Sequence, residues 1–362
     1  MDSFPFHIRS MHINEKDRVL AVMKLSFPPV QRLFFSLTKN VLVAQKENDL
    51  LGAIVLKKFD LNNSKIGLVY WIFTAPTARG LGVGGQLIKK GLETLEEMGC
   101  QEVFACIEGH NTSSSNLLSG KGFEILTLGQ QVKRFGLDLI PFWLKIFHII
   151  DFGHFLWVKP AVKEVARPGL RWWGNAFFNG LIAYIASIRL LKFQTISLEI
   201  FFQSFIAVFV LFGIRNISMG LTAYFLKMKV RFRLWESAFP LSLLISLAVG
   251  RWMPIPGSMY PVSSKWSYKN KQSELGKMSL ISCTMILILA FSTQGLISYD
   301  LLPSHFISFA KTLITFSKPL LIFDIVLIFF PFTCFNGARL WDWNKMVWAL
   351  YVILSIYFYL KF

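Results

Sequence analysis

Carboxylates are scarce here: 21 Asp and Glu stand against 38 Lys and Arg, and the formal net charge is +17 over 362 residues. Charge of either sign is thin, at 16%. A basic chain raises the question of nucleic acid, but the positive residues sit between long apolar runs rather than on one solvated patch, so nucleic acid is not an expected partner. Cysteine is also rare. Cys100, Cys106, Cys283 and Cys334 form no CxxC pair, which excludes a cysteine zinc knuckle or a disulfide scaffold and fits reduced, mostly buried thiols. The opening "MDSFPFHIRSMHINEKD" lacks the basic start, apolar core and small-residue cleavage site of a secretory leader. The first domain is therefore expected to remain in the cytosol.

What the sequence has in abundance is apolar bulk, with 54% hydrophobic residues and 36 Phe. The excess is uneven. Up to residue 135 the net charge is +4 and the composition is that of an ordinary soluble domain; the remainder carries +13 and is apolar with basic punctuation. In a membrane protein such punctuation gathers on the cytoplasmic side, where anionic lipid attracts it. Runs long enough to span occur at 172–191, 196–214, 278–298, 318–335 and 341–360, judged against the ~20 residues a crossing needs. The stretch 238–250 is too short to cross alone, and "MKVRFRLWE" (228–236) alternates like an edge strand. Trp172, Trp173, Trp341 and Trp343 cluster at run ends as an aromatic belt does. The run 141–158, "PFWLKIFHIIDFGHFLWV", carries Lys145, Asp151 and two His and reads as interfacial, with Lys159, Lys163, Arg167 and Arg171 following it. The expected division is 1–135, an interfacial linker 136–171, and a membrane domain 172–362 of five or six segments, with the lipid bilayer as a partner.

Within the first third, 41–46, 51–59 and 65–73 are short β-rich runs separated by "END" and "DLNNS", the spacing of an antiparallel meander. "ARGLGVGGQL" (78–87) comes next, then a helical pattern through Leu87, Ile88, Leu92, Leu95 and Met98 that stops at Gly99. A glycine-rich loop opening a helix turns backbone amides toward a phosphate. Gly80, Gly82 and Gly85 satisfy GxGxxG, and Glu108 follows 23 residues after Gly85. The dinucleotide fingerprint, however, needs its first Gly directly after the strand that opens the domain. Here "TAPTAR" intervenes and a meander precedes it. No Gly-Lys-Ser/Thr closes a P-loop. A turn without a ligand stays as the plain alternative.

The pattern Arg79-x-x-Gly82-x-Gly84, after "YWIFTAP" and before an amphipathic helix, resembles the GNAT acetyltransferase superfamily, whose Arg/Gln-x-x-Gly-x-Gly/Ala loop binds the pyrophosphate of acetyl-CoA. The likeness runs on through "EGHNTSSSNLLSGKGFEIL", with Gly122-Phe123 in the family's Gly-Phe position, and covers about residues 10 to 130. It implies an α/β domain with a mixed sheet and splayed central strands. The implied donor contacts are Arg79, Gly80, Leu81, Gly82, Val83, Gly84 and Gly85 around the pyrophosphate, the backbone of Trp71, Ile72 and Phe73 along the pantetheine arm, and Asn111 near the pantetheine or acetyl group. Many members place an acid Tyr four residues before that Gly-Phe; the position here is Leu118. Glu108 and His110 are the available bases, a strand-end surface carboxylate being an equally plain reading of Glu108, and Tyr70 is a substitute donor if its ring points into the cleft.

From about residue 200 the chain resembles site-2-protease-type intramembrane zinc peptidases, through "VRFRLWESAFPLSLLISLAVG", "PIPGSMYP" and "FFPFTCFNGARLWDWNKMVW". Where that family has HExxH this sequence reads "RNISM" (Arg215 to Met219), and its Asp-Gly position reads Asn336-Gly337. The ligands and the water-activating Glu are therefore missing, and no metal is expected. His148, Asp151 and His154 read as packing residues. Asp324, inside "LLIFDIVLIFF", costs at least ~2.5 kcal/mol in lipid and needs a protein partner, Lys318 and Arg339 being nearby candidates. The whole reads as an α/β GNAT-like domain fused to an all-α polytopic membrane domain with its N-terminal domain in the cytoplasm. The expected reaction is acetyl transfer from acetyl-CoA to an unidentified amine, membrane-associated or not. The alternative is a non-catalytic acetyl-CoA sensor coupled to a pseudoprotease.

Overall fold

A computed structural model describes residues 5–61, 64–150, 152–160, 170–190, 197–263 and 265–362. Asp151, Lys163, Arg167 and the side chain of Arg171 lie outside the described residues. Two compact units emerge, the first formed by residues 1–107, 113–146 and 155–164, the second by 108–112, 147–154 and 165–362.

The first unit is built on β1 (His7–Ser10), α1 (Lys16–Ser26), α2 (Pro29–Arg32), β2 (Asn40–Lys46), β3 (Asp49–Leu61), β4 (Ser64–Thr74), α3 (Val83–Glu97), β5 (Glu102–Glu108), α4 (Thr112–Ser119), β6 (Glu124–Ile125), α5 (Leu128–Phe135), α6 (Leu139–Lys145) and β7 (His154–Lys159). The sheet order is β1-β2-β3-β4-β5-β7-β6. Strands β1 to β4 pair antiparallel and β4 pairs parallel with β5, so the sheet is mixed. Strand alternation sorts the two faces. Val41, Val43, Ala53 and Val55 pack with Val19 and Met23 of α1. Ile54 and Leu56 turn the other way, toward Gly91 of α3. Burying Val43 or Val55, both at 0% exposure, contributes about 1.5–3 kcal/mol each.

Two sequence expectations change here. The sheet is not complete at residue 135, because β7 inserts between β5 and β6, with Phe155, Leu156, Trp157 and Val158 buried. Likewise Phe142 and Trp143 are buried rather than interfacial, and the Phe142 ring stacks 4.2 Å from that of Phe135. The apolar run 141–158 is thus largely protein core, a misreading with a simple cause: a core and a bilayer select the same side chains.

The second unit contains α7 (Leu170–Leu190), α8 (Leu198–Phe225), β8 (Val230–Arg233), α9 (Phe239–Val249), β9 (Ser258–Pro261), α10 (Tyr268–Ser298), α11 (Ser304–Leu321), a π-helical turn (Ile322–Val326), α12 (Asn336–Trp343) and α13 (Lys345–Lys361). Three helical stretches among the described residues are long and apolar enough to cross a membrane: Leu198–Phe225, Tyr268–Ser298 and Ser304–Val326. The expected span 318–335 is not one helix. It begins inside α11 and leaves helical geometry after Val326, with Leu327 extended and Pro331 beyond. The run 341–360 is broken at Asn344, whose side chain caps α13 by accepting from the N–H groups of Met346 and Val347. Nor is the unit purely helical, since β8 and β9 pair antiparallel from Val230↔Pro261 to Arg233↔Ser258.

An ion pair lies in the interior of this unit. Arg215 donates through Nε and Nη2 to both oxygens of Asp324, each at 2.8 Å, and both residues, like Asn336, are at 0% exposure. Asn336 Nδ2 adds a 2.8 Å bond to Asp324, and Arg215 Nη1 donates to the Gly257 carbonyl at 3.0 Å. Asp324 therefore finds a protein partner, as a charge in an apolar helix must, but it is Arg215 rather than Lys318 or Arg339. The positions "RNISM" and Asn336-Gly337 meet here. Gly337 is required by close approach: a Cβ there would sit 2.2 Å from the Ile325 carbonyl oxygen.

Candidate functional site

Strand β4 carries the first feature of the site. Opposite β3 its register shifts between Val55↔Trp71 and Leu56↔Val69, leaving Tyr70 as the extra residue of a bulge. Toward β5 the ladder runs from Ile66↔Glu102 to Val69↔Ala105 and stops. The two strands part at the bulge, while Trp71, Ile72 and Phe73 remain paired with β3 on their other edge. Their free edge thus offers backbone groups to an extended ligand, as an added strand would use them.

The chain then turns through a short helical turn (Pro76–Ala78) and an extended Arg79. Gly80 has φ +84° and Gly82 φ +78°, with Gly82 as the left-handed N-cap of α3. These two conformations explain the glycines, since a Cβ at positive φ clashes with the following carbonyl. Arg79, Gly80, Leu81 and Gly82 are exposed and Gly84 and Gly85 partly so. In the first turn of α3 the N–H groups of Val83, Gly84 and Gly85 have no intrahelical acceptor. They point outward at the positive end of the helix dipole, a geometry that suits a phosphate.

Residues 14–123 match the model of the Acetyltransferase (GNAT) family. This part of the chain is a GNAT acetyltransferase domain. Mycothiol acetyltransferase of Sanguibacter keddieii is 31% identical over 96 residues, covering 26% of this chain and 30% of that protein. The chain thus spans less than a third of the length of that curated relative. Among solved structures, N-acetylglutamate synthase from Neisseria gonorrhoeae, complexed with coenzyme A and N-acetyl-glutamate, aligns at 15% identity and TM-score 0.33 over 44% of this chain and 35% of its own. A GNAT family acetyltransferase from Brucella melitensis in complex with acetyl-CoA aligns at 20% identity and TM-score 0.27, over 34% and 84%.

Against the GNAT domain the remaining sequence-derived site residues fall as follows. Tyr70 is partly exposed; its hydroxyl lies 3.4 Å from Ser36 Oγ and Lys57 Nζ sits 3.2 Å from the ring centroid. Leu118 is 3% exposed and serves as core, so the family's acid position holds no donor. Glu108 ends β5, and with residues 109–112 it packs within the helical unit. Its Oε1 accepts a 2.6 Å bond from Thr333 Oγ1. His110 stacks on Tyr268 at 4.5 Å between centroids, and its Nε2 accepts from Arg339 Nε at 3.2 Å. Asn111 is exposed, with its N–H bonded to the Glu108 carbonyl at 3.0 Å. Among the described residues no group of three or more His, Cys, Asp or Glu could hold a metal.

The surroundings of His110 lower its pKa well below the ordinary imidazole value, through burial first and the Arg339 charge second. Neutral at physiological pH, its ring accepts from Arg339 and has no strong pull on a further proton. His148, at 0% exposure, is pushed down to about 3 by burial, with His154 adding to the effect. The sign follows directly. Below about pH 6.5 an unfolded His148 binds a proton that the folded one refuses, so stability falls as pH drops from there toward 3. Thermal unfolding of the full chain between pH 7 and pH 4 is expected to show a steeper acid loss for the native protein than for His148→Leu. Parallel curves would contradict this role.

Sequence reasoning missed Thr333, Tyr268 and Arg339 as neighbours of Glu108 and His110. No local pattern links positions 158 to 231 residues apart. The Arg215–Asp324 pair did leave a signal, two opposite charges each inside an apolar helix.

Proposed function

We propose that the chain is a membrane-embedded N-acetyltransferase that moves the acetyl group of acetyl-CoA onto an amine, with its GNAT domain on the cytosolic side. The observation that carries the reading is the left-handed Gly80/Gly82 loop at the start of α3, beside the free edge of β4. The amides from Leu81 to Gly85 receive the diphosphate, Arg79 adds positive charge, and the backbone of Trp71 to Phe73 pairs with the pantetheine arm. Asn111 lies near the acyl end. Membrane insertion is supported by the three long apolar helices and by exposed apolar side chains at helical spacing, among them Ile217, Leu221 and Tyr224 on α8 and Ile281, Met285 and Ile288 on α10.

In this reading an ammonium acceptor gives its proton to Glu108, and the freed amine attacks the acetyl carbonyl carbon. A C–N bond forms, the C–S bond breaks, and the thiolate departs. The second proton, which the nitrogen sheds as it becomes an amide, passes through Tyr70 or water to the thiolate, so that Glu108 and the thiol together hold the two protons lost by the ammonium. Proton removal by a positioned base is worth 10²–10⁴-fold. Glu108→Gln in the full chain is therefore expected to lower kcat by roughly a hundredfold or more, leaving acetyl-CoA affinity unchanged. The assay is thiol release from acetyl-CoA across a panel of amines. An undiminished kcat would remove Glu108 from the mechanism, and coenzyme binding without turnover on any amine would remove acetyl transfer.

A further inference from the structure

Two arginines of the helical unit are almost wholly buried, and they are treated oppositely. Arg215 is neutralised by a bidentate carboxylate. Arg339, 1% exposed, meets no carboxylate among the described residues. Its Nε donates to His110 and its Nη2 to the Met259 carbonyl at 3.0 Å, and its guanidinium carbon lies 5.1 Å over the Tyr260 ring. Its Nη1 has no acceptor at all. A buried guanidinium with an idle donor and no counter-charge is costly unless an anion arrives to meet it.

The surroundings suit such an arrival. Tyr260 and Cys334 are buried beside Arg339, whereas His110, Tyr268, Thr333 and Glu108 are partly exposed. His110, which bonds Arg339 directly, is among the partly exposed ones. Thr333 ties the two ends of the cluster together, bonding Glu108 through its hydroxyl and His110 through its backbone. A partly exposed carboxylate and a buried, unpaired guanidinium therefore flank the same short segment.

We propose that Arg339 is an acceptor-specificity residue and that the acceptor is an amine carrying a carboxylate or phosphate. Its anionic group bonds Nη1 of Arg339, with its amine presented to Glu108. The planar guanidinium fork matches either anion. This assignment rests on the acetyltransferase reading and narrows it to amines bearing an anionic group.

The test uses the full chain in detergent micelles. Phosphoethanolamine and inorganic phosphate are expected to raise the thermal unfolding midpoint, ethanolamine and propylamine not. Arg339→Gln is expected to abolish the shift, and Arg339→Lys, which keeps the charge should the Gln variant fail to fold, to weaken it. In turnover, kcat/KM for phosphoethanolamine should exceed that for ethanolamine by about tenfold or more, one charge-assisted hydrogen bond being enough. That preference should disappear in Arg339→Gln through KM, with acetyl-CoA affinity unaltered. Nanodiscs of phosphatidylethanolamine set against phosphatidylglycerol separate a lipid-borne phosphate from a soluble one. Equal response to charged and neutral amines, or undiminished phosphate binding by Arg339→Gln, overturns the assignment. Arg339-dependent phosphate binding without turnover supports the anion site and instead sinks acetyl transfer.

Discussion

Gly82→Val is expected to weaken acetyl-CoA binding by the full chain about a hundredfold or more while leaving the fold in place. The residue holds φ +78° as the N-cap of α3 and is exposed. A Cβ in that conformation costs about 1–2 kcal/mol, more when branched. Relief of that strain rotates the following peptide and withdraws an amide from the diphosphate, and a hydrogen bond to a charged group is worth about 1.5–3 kcal/mol. Together these come to roughly 2.5–5 kcal/mol, at about 1.4 kcal/mol per tenfold. Equilibrium titration with acetyl-CoA checks the prediction, with far-UV dichroism reporting that the domain is intact.

Asp324→Leu is expected to destabilise the helical unit by about 3–5 kcal/mol. The substitution leaves Arg215 at 0% exposure with its two 2.8 Å bonds removed and its charge unpaired. Pairing the change with Arg215→Met removes the orphaned charge, and the double variant should recover most of the loss. Thermal unfolding in a fixed detergent measures both. A single variant as stable as the native protein would mean that the pair contributes nothing to holding α8 against the turn that follows α11.

The legibility of this sequence follows the range of its interactions. The glycine loop ahead of α3 was readable as a turn into a helix because its requirements are local: positive φ at Gly80 and Gly82 and a helix after them. The meander was readable for the same reason, its strands being neighbours in the chain. The run 141–158 was not, since hydropathy does not distinguish β7 and α6 in a protein interior from an interfacial helix. Helix ends in the second unit were lost where local geometry set them, Asn344 capping α13 and Leu327 turning extended after the π-helical turn. Least visible was the setting of Glu108 and His110. Thr333, Tyr268 and Arg339 reach them only through tertiary folding, so spacing identified the strand end and was silent on what surrounds it.

The central claim is that backbone donors at the start of α3 hold the diphosphate of the acetyl carrier. Titrating native protein and Gly82→Val with acetyl-CoA and with S-acetylpantetheine, which has no diphosphate, tests it in one cycle. The account predicts that the native protein strongly prefers the full coenzyme and that the variant binds the two carriers almost alike. A native protein indifferent to the diphosphate, or a variant that keeps the whole preference, would contradict it.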